Sequence, residues 1–134
     1  MMPAPESKPA AARIVVLIVE DEVLMRAVLA GQLRESGLTV VEAGDVDEAL
    51  AYLNSDGAVD LVFSDIEMPG SMNGLELARR IRGRNAALPI ILTSDKSWPG
   101  EQNGVLGAFI PKPYDVARAL SMVLATLGLS RPDS

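Results

Sequence analysis

The 134-residue chain has no cysteine and no histidine. Without thiols there is no disulfide framework, thiolate metal site or cysteine nucleophile, which suits a reducing cytoplasm, the expected location. Without imidazole there is no His-ligated zinc and no histidine general base, and the chain cannot itself carry a phosphohistidine. Basic charge is also short. Twelve basic residues stand against 18 acidic ones, a net charge of -6, so the overall field repels phosphate backbones and nucleic acid is not an expected partner. Long hydrophobic runs are missing too. The longest apolar stretch, Ile14 to Val19, is too short to cross a bilayer, and Glu20, Asp21 and Glu22 follow it at once, where a signal peptide would need small residues. No membrane association is expected.

What is present is a composition of 49% hydrophobic and 22% charged residues, the balance of a folded globular protein of one domain. Residues 1–12, with Pro3, Pro5 and Pro9, lack periodicity and read as a flexible leader, and 130–134 as a flexible tail; the domain is 13–129. Within it, short apolar runs rich in β-branched residues (Arg13 to Val19, Leu38 to Val41, Val59 to Phe63, Pro89 to Leu92, Ala108 to Ile110) read as strands. They alternate with helical patterns. Val23, Ala27, Ala30 and Leu33 recur at helical spacing up to Gly37; Val46, Ala49, Leu50 and Leu53 up to Asn54; Leu75, Ala78 and Ile81 up to Gly83; Val116, Leu120, Val123, Leu124 and Leu127 up to Gly128. The stretch Lys96 to Gly107 carries Pro99, Gly100, Gly104 and Gly107, so the fourth helix, between the fourth and fifth strands, is expected to be short or irregular. Strands apolar on both faces need cover on both, which predicts an α/β, doubly wound, five-stranded parallel sheet in the flavodoxin-like order 2-1-3-4-5.

In such sheets ligands bind beyond the carboxyl ends of the strands. Glu20 and Asp21 follow the first run, Asp65 the third, Thr93, Ser94 and Asp95 the fourth, and Lys112 the fifth. With the first and third strands adjacent, three carboxylates share one crevice and repel each other, and a hard divalent cation, Mg2+ above all, is the expected remedy. A carboxylate, a cation, a lysine and a hydroxyl around one point are the parts for phosphoryl transfer to a carboxylate, with Asp65 as phosphoacceptor. Asp21, assisted by Glu20, would hold the metal, and Lys112 and Ser94 would bind phosphoryl oxygens.

The stretches VVLIVEDE, LVFSDIEMPG, PIILTS and FIPKP, in that order over residues 13 to 128, resemble the four signature stretches of bacterial response-regulator receiver domains. The resemblance implies that Glu20 and Asp21 are the acidic pair, Asp65 the phosphoacceptor and a metal ligand, Glu67 a metal ligand through its backbone carbonyl, and Lys112 the family's lysine. It also implies a cis bond before Pro113. Counted from Pro89, the switch hydroxyl falls on Ser94, or on Thr93 if the register slips by one residue, and Phe109 takes the aromatic switch position. The implied function is a phosphoryl-accepting switch of a two-component or phosphorelay system. It would be charged by a histidine kinase or histidine phosphotransfer protein, act on an unknown downstream protein target, and behave as a monomer or weak homodimer. It would not be an enzyme beyond its own phosphorylation and dephosphorylation. An output domain is not expected.

Three features depart from the pattern. The loop Met68 to Gly74 is one residue longer than usual, Asp95 puts a charge where a small residue is ordinary, and Trp98 lies in the irregular stretch as a candidate partner anchor or packed loop residue. Glu67 and Lys96 are expected to tune the acyl-phosphate lifetime. Read alone, Glu20 and Asp21 could merely cap the following helix. An aspartyl-phosphate phosphatase would need a second aspartate where Glu67 stands. The remaining alternative is a phosphorylation-independent protein interaction module on the same fold.

Overall fold

The computed structural model of the chain describes residues 13–70, 72–96 and 106–129. Among them are five strands, β1 (Val15–Val19), β2 (Thr39–Ala43), β3 (Leu61–Asp65), β4 (Ile90–Ser94) and β5 (Ala108–Pro111). They form one sheet in the order β2-β1-β3-β4-β5, every pairing parallel. Four helices are described: α1 (Val23–Glu35), α2 (Val46–Asn54), α3 (Gly74–Arg84) and α4 (Val116–Thr126). The fold is thus the doubly wound α/β sheet that the sequence predicts. The leader 1–12, the tail 130–134, Ser71 and residues 97–105 lie outside the described residues, and with them Trp98 and most of the stretch expected to form a short or irregular fourth helix.

The continuous apolar runs are explained by the two faces. Successive side chains of a strand point to opposite sides, so Val16 and Ile18 pack with Leu29, Leu33, Phe63 and Leu120 under α1 and α4. Their neighbours Leu17 and Val19 pack with Val62, Leu77 and Ile81 under α2 and α3. Arg82 fastens the second layer: its guanidinium donates to the carbonyls of Leu88 (2.7 Å) and Leu106 (2.9 Å), joining α3 to the approaches of β4 and β5.

Several boundaries differ from the sequence reading. The strands end up to two residues later, so that Asp65 closes β3, and Thr93 and Ser94 belong to β4 instead of following it. The ladder persists past the apolar run, with Ile66 N–H donating to Thr93 O (2.9 Å) and Lys112 N–H to Ser94 O (2.8 Å). Gly83 does not stop α3, which ends one residue later at Arg84; a helix needs a left-handed residue or a competing acceptor to terminate there, and Gly83 supplies neither. Gly37, in contrast, takes φ 95° just after α1, the conformation that glycine adopts without steric cost. On α1, the buried face is Leu29, Ala30 and Leu33, whereas Val23 and Ala27 are exposed. The helix starts four residues after β1 ends, so its first turns rim the crevice and only later ones run back over the sheet.

Candidate functional site

Four strand ends converge on one crevice. Glu20 follows β1, Asp65 closes β3, Ser94 closes β4 and Lys112 follows β5. Glu20 and Asp65 are only 3% and 4% exposed, while Asp21 lies open at the rim. One carboxylate oxygen from each of Glu20, Asp21 and Asp65 lies within 4.8 Å of the others. The Lys112 ammonium donates to Asp65 Oδ2 (2.9 Å) and Glu20 Oε1 (3.1 Å), so one cation is shared by two buried anions. The Lys112–Pro113 peptide bond is cis.

The electrostatics follow from burial. Desolvation raises the pKa of Asp65, and the Lys112 hydrogen bond and charge only partly oppose it. Burial likewise raises Glu20, helped by the Asp65 charge and opposed by the Glu22 N–H and by Lys112. For Lys112, burial alone would lower the pKa, but the hydrogen bonds and charges of Asp65 and Glu20 outweigh it and the net shift is upward. Tyr114 lies beneath, edge-on to Phe63 with ring centroids 5.6 Å apart, and burial, then the Glu20 charge, pushes its hydroxyl up to about 12.

Local structure fixes each acid. Glu22, not Glu20 or Asp21, is the N-cap of α1, and its side chain makes no capping hydrogen bond. Glu20 Oε2 instead accepts the Glu22 N–H (3.0 Å), which anchors the carboxylate to its own turn. Arg26 holds the same turn from α1, donating from Nη1 to the Glu20 carbonyl (2.7 Å) and from Nε to Glu42 (3.1 Å). On the other side, Gly74 opens α3 directly against Asp65. A Cβ there would stand 2.0 Å from the Asp65 carbonyl oxygen, so only glycine allows the approach. Asn73 caps α3 by accepting the N–H groups of Leu75 and Glu76.

Asp65 Oδ1 is buried and has no hydrogen-bond partner among the described residues. A buried carboxylate oxygen without a partner is costly, and Asp65 belongs to a cluster of three acids, an oxygen donor set that a small hard cation would satisfy. The two candidate hydroxyls part company here. Ser94 Oγ donates to the Glu67 carboxylate, with Oε1 at 2.7 Å and Oε2 at 2.6 Å, and accepts the Lys96 N–H (3.0 Å). Thr93 is fully buried beside Asp65 in the sheet register, and its hydroxyl has no hydrogen-bond partner among the described residues. Phe109 is half-buried and pairs in register with Leu92, so pleat alternation sets it on the face that carries Ser94. Asp95 is exposed. Sequence reasoning named Thr93 as the alternative to Ser94 but missed the side-chain partner of Glu67 and the tie from Arg26. Only the basic residue one turn into α1 was a signal available beforehand.

Residues 16–124 match the response regulator receiver domain, and the chain belongs to that family. It is 35% identical over 116 residues to the DNA-binding transcriptional regulator NtrC of Salmonella typhimurium, covering 83% of this chain and 24% of NtrC. It is 34% identical over 117 residues to the transcriptional regulatory protein PhoP of Escherichia coli, covering 84% of this chain and 51% of PhoP. The chain thus spans between about a quarter and a half of these relatives. Among solved structures, the response regulator TrrA of Thermotoga maritima in complex with Mg(2+)-BeF aligns with TM-score 0.73 and 32% identity over 82% of this chain and 96% of that one. The receiver domain of the hybrid histidine kinase CckA aligns with TM-score 0.71 and 34% identity, over 84% and 98% of the two chains. Among the described residues, no helix is long and apolar enough to cross a membrane.

Proposed function

We propose that this receiver domain accepts a phosphoryl group on Asp65 from the phosphohistidine of a histidine kinase or phosphotransfer protein, and that the change is read by a downstream protein partner. The observation that carries the proposal is the Asp65 carboxylate: buried, held by Lys112 through Oδ2, with Oδ1 unpartnered among the described residues. In the transfer, the P–N bond of the phosphorylated imidazolium breaks as a P–O bond to Asp65 forms, leaving neutral imidazole on the donor. Lys112, already cationic between Asp65 and Glu20, offsets the charge of the incoming phosphoryl oxygens. Gly74 lets α3 pack against the Asp65 backbone and Lys112 holds Oδ2, which supports attack by a carboxylate kept in one position.

Glu20, Asp21 and Asp65, with the Glu67 carbonyl, are the residues that would hold Mg2+. When bound, that ion neutralises charge on the phosphoryl oxygens during transfer. Ser94 would close on the phosphoryl group and Phe109 would follow on the same face, a two-state population shift. Solution in the cytoplasm suits this chemistry.

The test is incubation with Mg2+ and acetyl phosphate, followed by intact mass of wild type and Asp65→Asn. A phosphate-sized gain in wild type alone supports the proposal. No gain in either, with Mg2+ binding also absent, would replace it by a phosphorylation-independent interaction module.

A further inference from the structure

The Ser94 hydroxyl, assigned above to the phosphoryl group, already has a partner. Glu67 lies two residues past Asp65, and both of its carboxylate oxygens are within hydrogen-bond distance of Ser94 Oγ, at 2.7 and 2.6 Å. The hydroxyl has one proton to donate, so the carboxylate holds it from either oxygen without a change of rotamer. Ser94 is 1% exposed, and one of its two lone pairs accepts the Lys96 N–H at 3.0 Å. A hydrogen bond to an ionised acceptor is stronger than a neutral one and is little weakened where water is excluded.

Resting on the receiver reading, we infer that Glu67 is a positioning residue acting as a latch: its side chain holds the Ser94 hydroxyl away from Asp65 until a phosphoryl group competes for it. A phosphoryl oxygen and the Glu67 carboxylate are both anionic acceptors for the same O–H, and the hydroxyl serves one at a time. Glu67 therefore sets the resting position of the switch and lowers the affinity of the site for any phosphoryl-like anion. The Lys96 N–H donates to the same oxygen, so release of the hydroxyl also disturbs the first turn after β4.

The experiment uses the full chain and beryllofluoride with Mg2+ as the phosphoryl mimic, in wild type, Glu67→Ala, Glu67→Gln, Ser94→Ala and the Glu67→Ala/Ser94→Ala double variant. Glu67→Ala should bind beryllofluoride about tenfold more tightly, and the gain should shrink to about threefold or less when Ser94 is absent. Glu67→Gln, which keeps an acceptor for the hydroxyl, should fall between wild type and Glu67→Ala. Without any ligand, NMR couplings at Ser94 should report a single rotamer in wild type and averaging in Glu67→Ala. An equal gain with and without Ser94 would mean that Glu67 acts by charge alone and would overturn the latch. Wild type that binds no beryllofluoride and gains no mass at Asp65 would overturn the receiver reading, and the latch with it.

Discussion

Replacing Lys112 by methionine keeps the stem of the side chain and removes the ammonium, leaving Asp65 and Glu20, 4% and 3% exposed, without their shared cation. Each contact, at 2.9 and 3.1 Å, is worth about 5 kcal/mol of direct attraction at an effective dielectric of about 20. Restored solvation of the ammonium in the unfolded chain, and the freedom of the acids to take up protons, offset much of this. The net loss expected near pH 8 is about 3 kcal/mol, the lower end for breaking a buried pair. The pH dependence has a definite sign. Burial already raises both carboxyl pKa values, and Lys112 is what restrains them, so in the variant they rise further. An acid with a raised folded-state pKa contributes stability that is present below its ordinary pKa of about 4 and lost as pH climbs through the folded value. The deficit of Lys112→Met should therefore be small near pH 4 and open as pH rises. Lys112 itself has a raised pKa, so its own charge is constant up to its ordinary value of about 10.4 and adds no slope in this range. Urea unfolding in EDTA at both pH values, with equal m, measures the difference. A deficit equal at the two pH values, or under about 0.5 kcal/mol near pH 8 where surface substitutions fall, would refute the picture of two buried anions sharing one cation.

Asp65→Asn keeps the shape and an acceptor for Lys112 while removing one buried charge, so near pH 8 without metal it should stabilise the fold by about 1 kcal/mol. That gain should vanish as pH falls and Asp65 protonates in wild type; a loss of stability in urea would contradict the raised Asp65 pKa. Gly74→Ala and Gly31→Ala should move thermal unfolding in opposite directions. At Gly74 the new Cβ would meet the Asp65 backbone, whereas at Gly31, inside α1, it meets nothing within 4 Å. The first should lose more than about 3 kcal/mol and the second gain about 0.5–1 kcal/mol; similar effects from both would be inconsistent with the close packing of α3 against Asp65.

The order and type of the described elements were legible because strand and helix periods are local properties of the chain. Leu17 and Val19 facing one layer and Val16 and Ile18 the other is what a doubly covered strand requires, and the apolar run from Ile14 to Val19 already says so. Element ends were less legible. Asp65 and Ser94 look like loop residues by polarity, yet the sheet ladder keeps both within strands, because backbone pairing is indifferent to side-chain polarity. Gly83 looked like a helix stop, but an exposed helix tolerates glycine at a cost of about 1 kcal/mol and continues.

By itself the sequence determined the chemistry available: no thiol, no imidazole, and acids, hydroxyls and one lysine stationed where apolar runs end, which the parallel topology must gather at one edge. Only the tertiary structure decided who pairs with whom. Lys112 reaches Glu20 across 92 positions of sequence and Ser94 reaches Glu67 across 27. Such pairings depend on strand register and on side-chain torsions set by packing, which no local pattern encodes. The same packing buries Asp65 Oδ1 where no donor among the described residues reaches it, an outcome of burial in three dimensions that no local pattern carries.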